Sequence, residues 1–143
     1  MVDLALQLAQ LSTSTSYPKN TEIIKEGDTE NLSMYIILQG EVDVVKNYGS
    51  SDQVLLTRLS AGDFFGEMSL FLSKPRNASV IAAENVILLE ITQENVSDFI
   101  KNNPELLYGI TRTLCARIDD MNEKVPDKFL VGSAALNRSN NTL

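Results

Sequence analysis

At 143 residues and a net charge of −7, the chain is sized for one domain and is too acidic for a broad surface that grips nucleic acid or an anionic membrane. It contains no histidine, which removes histidine-based triads and the usual zinc sites, and its single cysteine, Cys115, has no partner for an internal disulfide. A hydrophobic fraction of 43% and a charged fraction of 22% fit a soluble globular protein; with no bilayer-length apolar run and no basic-then-apolar leader, a cytoplasmic location is expected.

Leu4, Leu8 and Leu11 recur at helical spacing, so the first eleven residues read as a short amphipathic helix that ends in the polar run Ser12–Ser16. From Tyr17 the pattern changes to short strands separated by turn residues. Glu22–Lys25 is one, closed at Gly27. Met34–Leu38 is nearly all apolar, which predicts burial on both faces, and Glu41–Lys46 alternates after a break at Gly40. Asn47–Asp52 reads as an exposed hairpin tip, and Gln53–Leu59 returns as the next strand. Strands are also expected over 77–82 and 86–91. Thr92 suits the N-cap of a helix over Gln93–Lys101. Asn102 and Asn103 break that helix, and Pro104 fits the first position of another. The last helix carries Leu106, Leu107, Ile110, Leu114, Ile118 and Met121 as an apolar stripe. Many short strands at this spacing indicate an all-β sandwich or jelly roll, here with flanking helices. Residues 1–124 are expected to form the domain and 125–143 a disordered tail.

The most informative stretch runs from Gly62 to Val80. It reads as a strand that stops at Gly66, a single helical turn, and a loop that returns through Pro75 to a second strand. Gly66 has no Cβ, so the backbone can turn sharply or approach a ligand. The amides of Glu67, Met68 and Ser69 open a helix and lack intrahelical acceptors, which makes that end attractive to an anion. Arg76 returns at the end of the loop, and a guanidinium can grip a phosphate with two parallel bonds. Glu67 would repel an anion unless its oxygens face a sugar hydroxyl. An anionic ligand bearing a sugar satisfies all three features.

The segment FGEMSLFLSKPRNASV (65–80), with IIKEGD, MYIILQGEVDVV and LLTRLSAGDFFGE before it, resembles the phosphate-binding cassette and its surroundings in the cyclic nucleotide-binding domain family. That family includes catabolite activator proteins, protein kinase A regulatory subunits and cyclic nucleotide-gated channels. The composite signal is Gly-Glu followed by Arg nine residues after the Glu, with Pro just before the Arg and Ala two residues after it. The resemblance covers roughly residues 10–122, most of the chain. It implies an eight-stranded jelly roll with an N-terminal helix and two C-terminal helices.

It also implies roles. Arg76 pairs with the exocyclic oxygens of a 3′,5′-cyclic phosphate, Glu67 accepts from the ribose 2′-hydroxyl, and Gly66 admits the sugar. The amides of Ser69 and Asn77 complete the cage, Met68 lies in the same turn, and Ala78 and Ser79 let the strand run beneath the ligand. Val42, Val44, Leu55, Phe65 and Leu70 are candidates for apolar walls. Asn77 departs from the pattern, because family members prefer Ala or Ser there for cAMP and often Thr for cGMP. The ligand is therefore cAMP or cGMP, with cAMP favoured. By the same resemblance, the helix over 104–124 closes over the base or pairs with its copy in a homodimer, and Phe129 would stack on the purine as a lid.

The expected function is a sensor domain that binds a cyclic nucleotide and relays a conformational change through its C-terminal helices. An interaction module of the same fold with an empty pocket is the alternative, and the presence of both Glu67 and Arg76 weighs against it. A complete transcription factor of the catabolite-activator type would need a DNA-binding domain, for which 125–143 is too short. Neither catalytic residues, a metal site nor a resident cofactor is expected, because no carboxylate or histidine cluster of a cyclase or phosphodiesterase is present.

Overall fold

A computed structural model describes residues 14–124. The expected helix over the first eleven residues, the tail and Phe129 all lie outside the described residues. The chain divides between Asn102 and Asn103 into two compact units.

The first unit contains eight strands: β1 (Ser14–Tyr17), β2 (Glu22–Ile24), β3 (Met34–Gln39), β4 (Glu41–Lys46), β5 (Val54–Ser60), β6 (Phe64–Phe65), β7 (Ser79–Ala82) and β8 (Val86–Ile91). Helix α1 (Glu67–Leu72) lies between β6 and β7, and α2 (Val96–Asn102) follows β8. The strands form two four-stranded antiparallel sheets, ordered β1-β8-β3-β6 and β2-β7-β4-β5. This is the eight-stranded jelly-roll arrangement expected from the sequence. The second unit contributes α3 (Pro104–Lys124).

The core draws on both sheets. Ile24, Val42, Val80 and Ala82 from one sheet cluster with Tyr35, Ile37, Phe65, Val86 and Leu88 from the other. The apolar run of β3 is buried from Met34 to Ile37, as its composition predicts. β4 keeps its alternation only in part, because Val44 pairs with Thr57 while Val45 pairs with Leu55. Leu56 is thus the extra residue of a β-bulge, which disrupts the in-out pattern of β5.

Three expectations are corrected. The strand region begins at Ser14 rather than after Tyr17: Ser14–Ser16 form β1 with Tyr17, pairing with Leu89, Leu88, Ile87 and Val86 of β8. The first strand after the cassette starts at Ser79 rather than at residue 77, and α2 starts at Val96 rather than at Gln93. At α2 the reason is local: Thr92 and Asn95 bond each other reciprocally, with Thr92 N donating to Asn95 Oδ1 at 2.9 Å and Asn95 N to Thr92 Oγ1 at 3.2 Å. Thr92 caps this turn as expected, its carbonyl accepting from Val96 N at 2.9 Å, and the regular helix begins after it, with Asn95 O accepting from Phe99 N at 3.0 Å. Along α3 the apolar stripe is not uniform. Leu106 and Ile110 are buried, whereas Leu107, Ile118 and Met121 are exposed.

Candidate functional site

The segment from β6 to β7 buries Glu67, Ser69 and Arg76 and leaves Ser73, Lys74 and Asn77 exposed. Phe64 and Phe65 pair with Ile36 and Tyr35 of β3, which fixes where the chain leaves the sheet. Gly66 then turns with φ +85 and opens α1. A Cβ at this position would lie 2.7 Å from the Ser33 carbonyl oxygen and 2.9 Å from Arg76 Nη1. Glycine is needed here by the left-handed backbone and by the close approach of Ser33 and Arg76. In α1, Glu67 and Ser69 are buried while Met68 is exposed. The helix ends at Ser73, whose amide donates to Ser69 O at 2.9 Å. Gln93 also binds this end, its Nε2 donating to Leu70 O at 3.2 Å and Ser73 Oγ at 3.1 Å.

Arg76 is 4% exposed, which is rare for this side chain. Two backbone carbonyls hold its guanidinium: Nη1 donates to Gly66 O at 3.1 Å and Nη2 to Ser33 O at 2.5 Å. Its Nε is buried without a hydrogen-bond acceptor. The main chain of Arg76 is clamped as well, its N–H donating to Asp28 O at 2.9 Å and its carbonyl accepting from Gly27 N at 2.7 Å. Burial pulls the guanidinium below its ordinary pKa, and the charges of Asp28, Glu67 and Glu90 act in the opposite sense. Such a cation, desolvated and incompletely bonded, is suited to an anion with several acceptor oxygens.

The other predicted residues divide between two directions. Ala78 is buried at the start of the returning chain. Asn77 is exposed, and its carbonyl accepts from Lys46 Nζ at 2.7 Å. Ser79 is 2% exposed and turns towards β2, accepting from Glu26 N at 3.0 Å and donating to Glu22 Oε2 at 3.1 Å. Its side chain therefore fastens β7 to the neighbouring turn. Of the candidate apolar walls, Val42, Phe65 and Leu70 are buried, Val44 is half-buried and Leu55 is exposed.

Sequence reasoning missed Ser33, Lys46 and Gln93. Lys46 and Gln93 donate to main-chain carbonyls of the cassette and Ser33 offers its own carbonyl to Arg76, and a carbonyl partner leaves no side-chain pattern to read. Among the described residues, no group of three or more His, Cys, Asp or Glu is placed to hold a metal ion, and no helix is long and apolar enough to cross a membrane.

Residues 14–103 match the family model described as "Cyclic nucleotide-binding domain". The chain is 30% identical over 117 residues to the Cyclic AMP receptor protein of Thermus thermophilus, covering 82% of this chain and 52% of that protein. It thus spans about half the length of the curated relatives it matches. The crystal structure of Thermus thermophilus Catabolite Activator Protein superposes with a TM-score of 0.72 at 25% identity, covering 87% of this chain and 58% of that one. The EAL enzyme Bd1971 in its cGMP-bound form gives a TM-score of 0.55 at 31% identity, covering 74% and 28% of the two chains.

Proposed function

The chain belongs to the cyclic nucleotide-binding domain family, and from that premise we propose that it is a regulatory domain that binds cAMP or cGMP at Gly66–Ser79. The observation that carries this reading is the state of Arg76: buried, gripped by the carbonyls of Gly66 and Ser33, and left with an unsatisfied Nε–H. A 3′,5′-cyclic phosphate supplies the acceptor oxygens that this guanidinium lacks. Glu67, buried one residue after Gly66, accepts from the ribose 2′-hydroxyl, and the amides of Ser69 and Asn77 add donors around the phosphate. Met68, Ala78 and Ser79 complete the cassette, Ser79 by anchoring its return strand. The action is binding and relay rather than catalysis.

cAMP is the favoured ligand, since the cyclic AMP receptor protein is similar over most of this chain. The exposed Asn77 side chain, which carries both a donor and an acceptor, gives cGMP a specific alternative through the guanine 2-amino group. Residues 104–124 relay the signal, and their exposed Leu107, Ile118 and Met121 pair with a second copy. Sedimentation showing only monomer well above micromolar concentration would remove that pairing.

Isothermal titration of the chain against cAMP and cGMP tests the proposal. Micromolar or tighter binding to either nucleotide is expected. No heat with either, with prebound nucleotide excluded by mass spectrometry, overturns it in favour of an interaction module of the same fold.

A further inference from the structure

Arg76 does not choose its orientation alone. The carbonyl that takes its Nη2 belongs to Ser33, just ahead of β3, and Ser33 is 6% exposed. The hydroxyl of the same residue donates to Glu90 Oε2 on β8 at 2.7 Å, across 57 residues of sequence. Its N–H donates to Asn31 Oδ1 at 3.2 Å, and Asn31 Nδ2 donates to the Tyr35 hydroxyl at 2.9 Å. Tyr35 in turn stacks on Phe65, with ring centroids 5.3 Å apart and an interplanar angle of 22°. Phe65 precedes Gly66, whose carbonyl takes the other terminal nitrogen of Arg76. The Ser33 carbonyl thus sits in a polar and aromatic bracket on β3, β6 and β8 that also holds Phe65, and the Gly66 carbonyl is further held by α1, accepting from Leu70 N at 3.3 Å.

A peptide group at the start of a strand can rotate unless something holds it. Ser33 is held on the amide side by Asn31 and through its side chain by Glu90. From these contacts we infer that the Ser33–Glu90 pair is a positioning device for Arg76, setting the direction from which its remaining donors meet the ligand's phosphate. The inference rests on the reading of Arg76 as the phosphate ligand. Glu90 does not touch the nucleotide; it acts through the hydroxyl and carbonyl of Ser33. Its carboxylate also adds a negative charge that favours the buried cation.

The test is a double-mutant cycle on the full chain, read by calorimetric titration with cAMP and cGMP. Ser33→Ala and Glu90→Ala should each weaken nucleotide binding by about 3- to 30-fold, the range for residues that modulate a site through intermediates. Glu90→Gln, whose amide oxygen still accepts from Ser33, should recover most of that loss. In an Arg76→Lys background, where the forked guanidinium is gone, Glu90→Ala should cost little more. The Arg76 Nε–H resonance should shift in Ser33→Ala, which provides a readout independent of affinity. Parent-like affinity in Ser33→Ala and Glu90→Ala, with binding lost in Arg76→Ala, overturns the positioning role and leaves the cyclic nucleotide reading intact. The same factor lost in parent and Arg76→Lys backgrounds also overturns it, because the effect then does not pass through the guanidinium. A parent that binds neither nucleotide removes the cyclic nucleotide reading and this inference together.

Discussion

Glu67, Ser69, Arg76 and Ser79 are 7%, 4%, 4% and 2% exposed, whereas Val54, Leu55 and Leu56 on β5 are 51%, 56% and 54% exposed. This reverses the ordinary allocation, in which ionisable side chains stay in water and leucines go inside. Burying a charge without partners is costly, so the cassette must supply them, and it does so with main-chain carbonyls at Arg76 and with Glu22 and Glu26 at Ser79. β5 has no such constraint. It is an edge strand of its sheet, and while Leu59 packs against the core, Val54, Leu55 and Leu56 stay exposed.

The contrast can be broken most severely at Arg76. Arg76→Ala should cost about 2–5 kcal/mol in nucleotide binding, because a buried phosphate loses its charged partner. Equal affinity in variant and parent by calorimetry would sink the assignment. Gly66→Ala comes next. It forces a side chain into φ +85 and against the Ser33 carbonyl, and should destabilise the fold by about 1–3 kcal/mol in urea unfolding. An unchanged urea midpoint would mean the backbone relaxes freely there. Ser79→Ala should reduce stability by about 1–3 kcal/mol, since Glu26 N loses its acceptor and Glu22 its donor. Nucleotide affinity should fall far less than in Arg76→Ala; an equal fall would return the Ser79 hydroxyl to the ligand.

At the mild end, Leu55→Ser on the exposed strand should move stability by no more than about 0.5 kcal/mol. A larger loss on unfolding would show that something covers β5. Glu26 sets the smallest effect. The amide of Asn47 and the ammonium of Lys46 both bond its carboxylate and hold its pKa below the ordinary range. Because the folded value is the lower one, the unfolded chain binds more protons between the two values and stability rises with pH across that window. The contribution is present above the unfolded pKa and fades as pH falls through the folded one. Glu26→Gln should flatten that part of the acid limb in pH-dependent unfolding.

Much of this organisation was legible in the residues. The apolar run at Met34, the alternation after Glu41 and the run at Val86 gave β3, β4 and β8 because burial itself imposes those patterns. The spacing of Gly66, Glu67, Pro75 and Arg76 picked out the cassette. β1 escaped because Ser14, Thr15 and Ser16 are exposed and polar, and only pairing with β8 makes them a strand. The grip on Arg76 escaped for a different reason. Its acceptors are peptide oxygens, common to every residue, and the Ser33–Glu90 contact depends on a strand pairing that no local window contains.

The claim that this site reads a cyclic phosphate through Arg76 is tested most directly by titrating the parent chain with cAMP and with adenosine under the same conditions. Both carry the same base and a ribose, but only cAMP offers the phosphate. The account predicts micromolar or tighter binding of cAMP and binding of adenosine weaker by at least about 30-fold, the loss of one charged contact. Equal affinity for the two would contradict it.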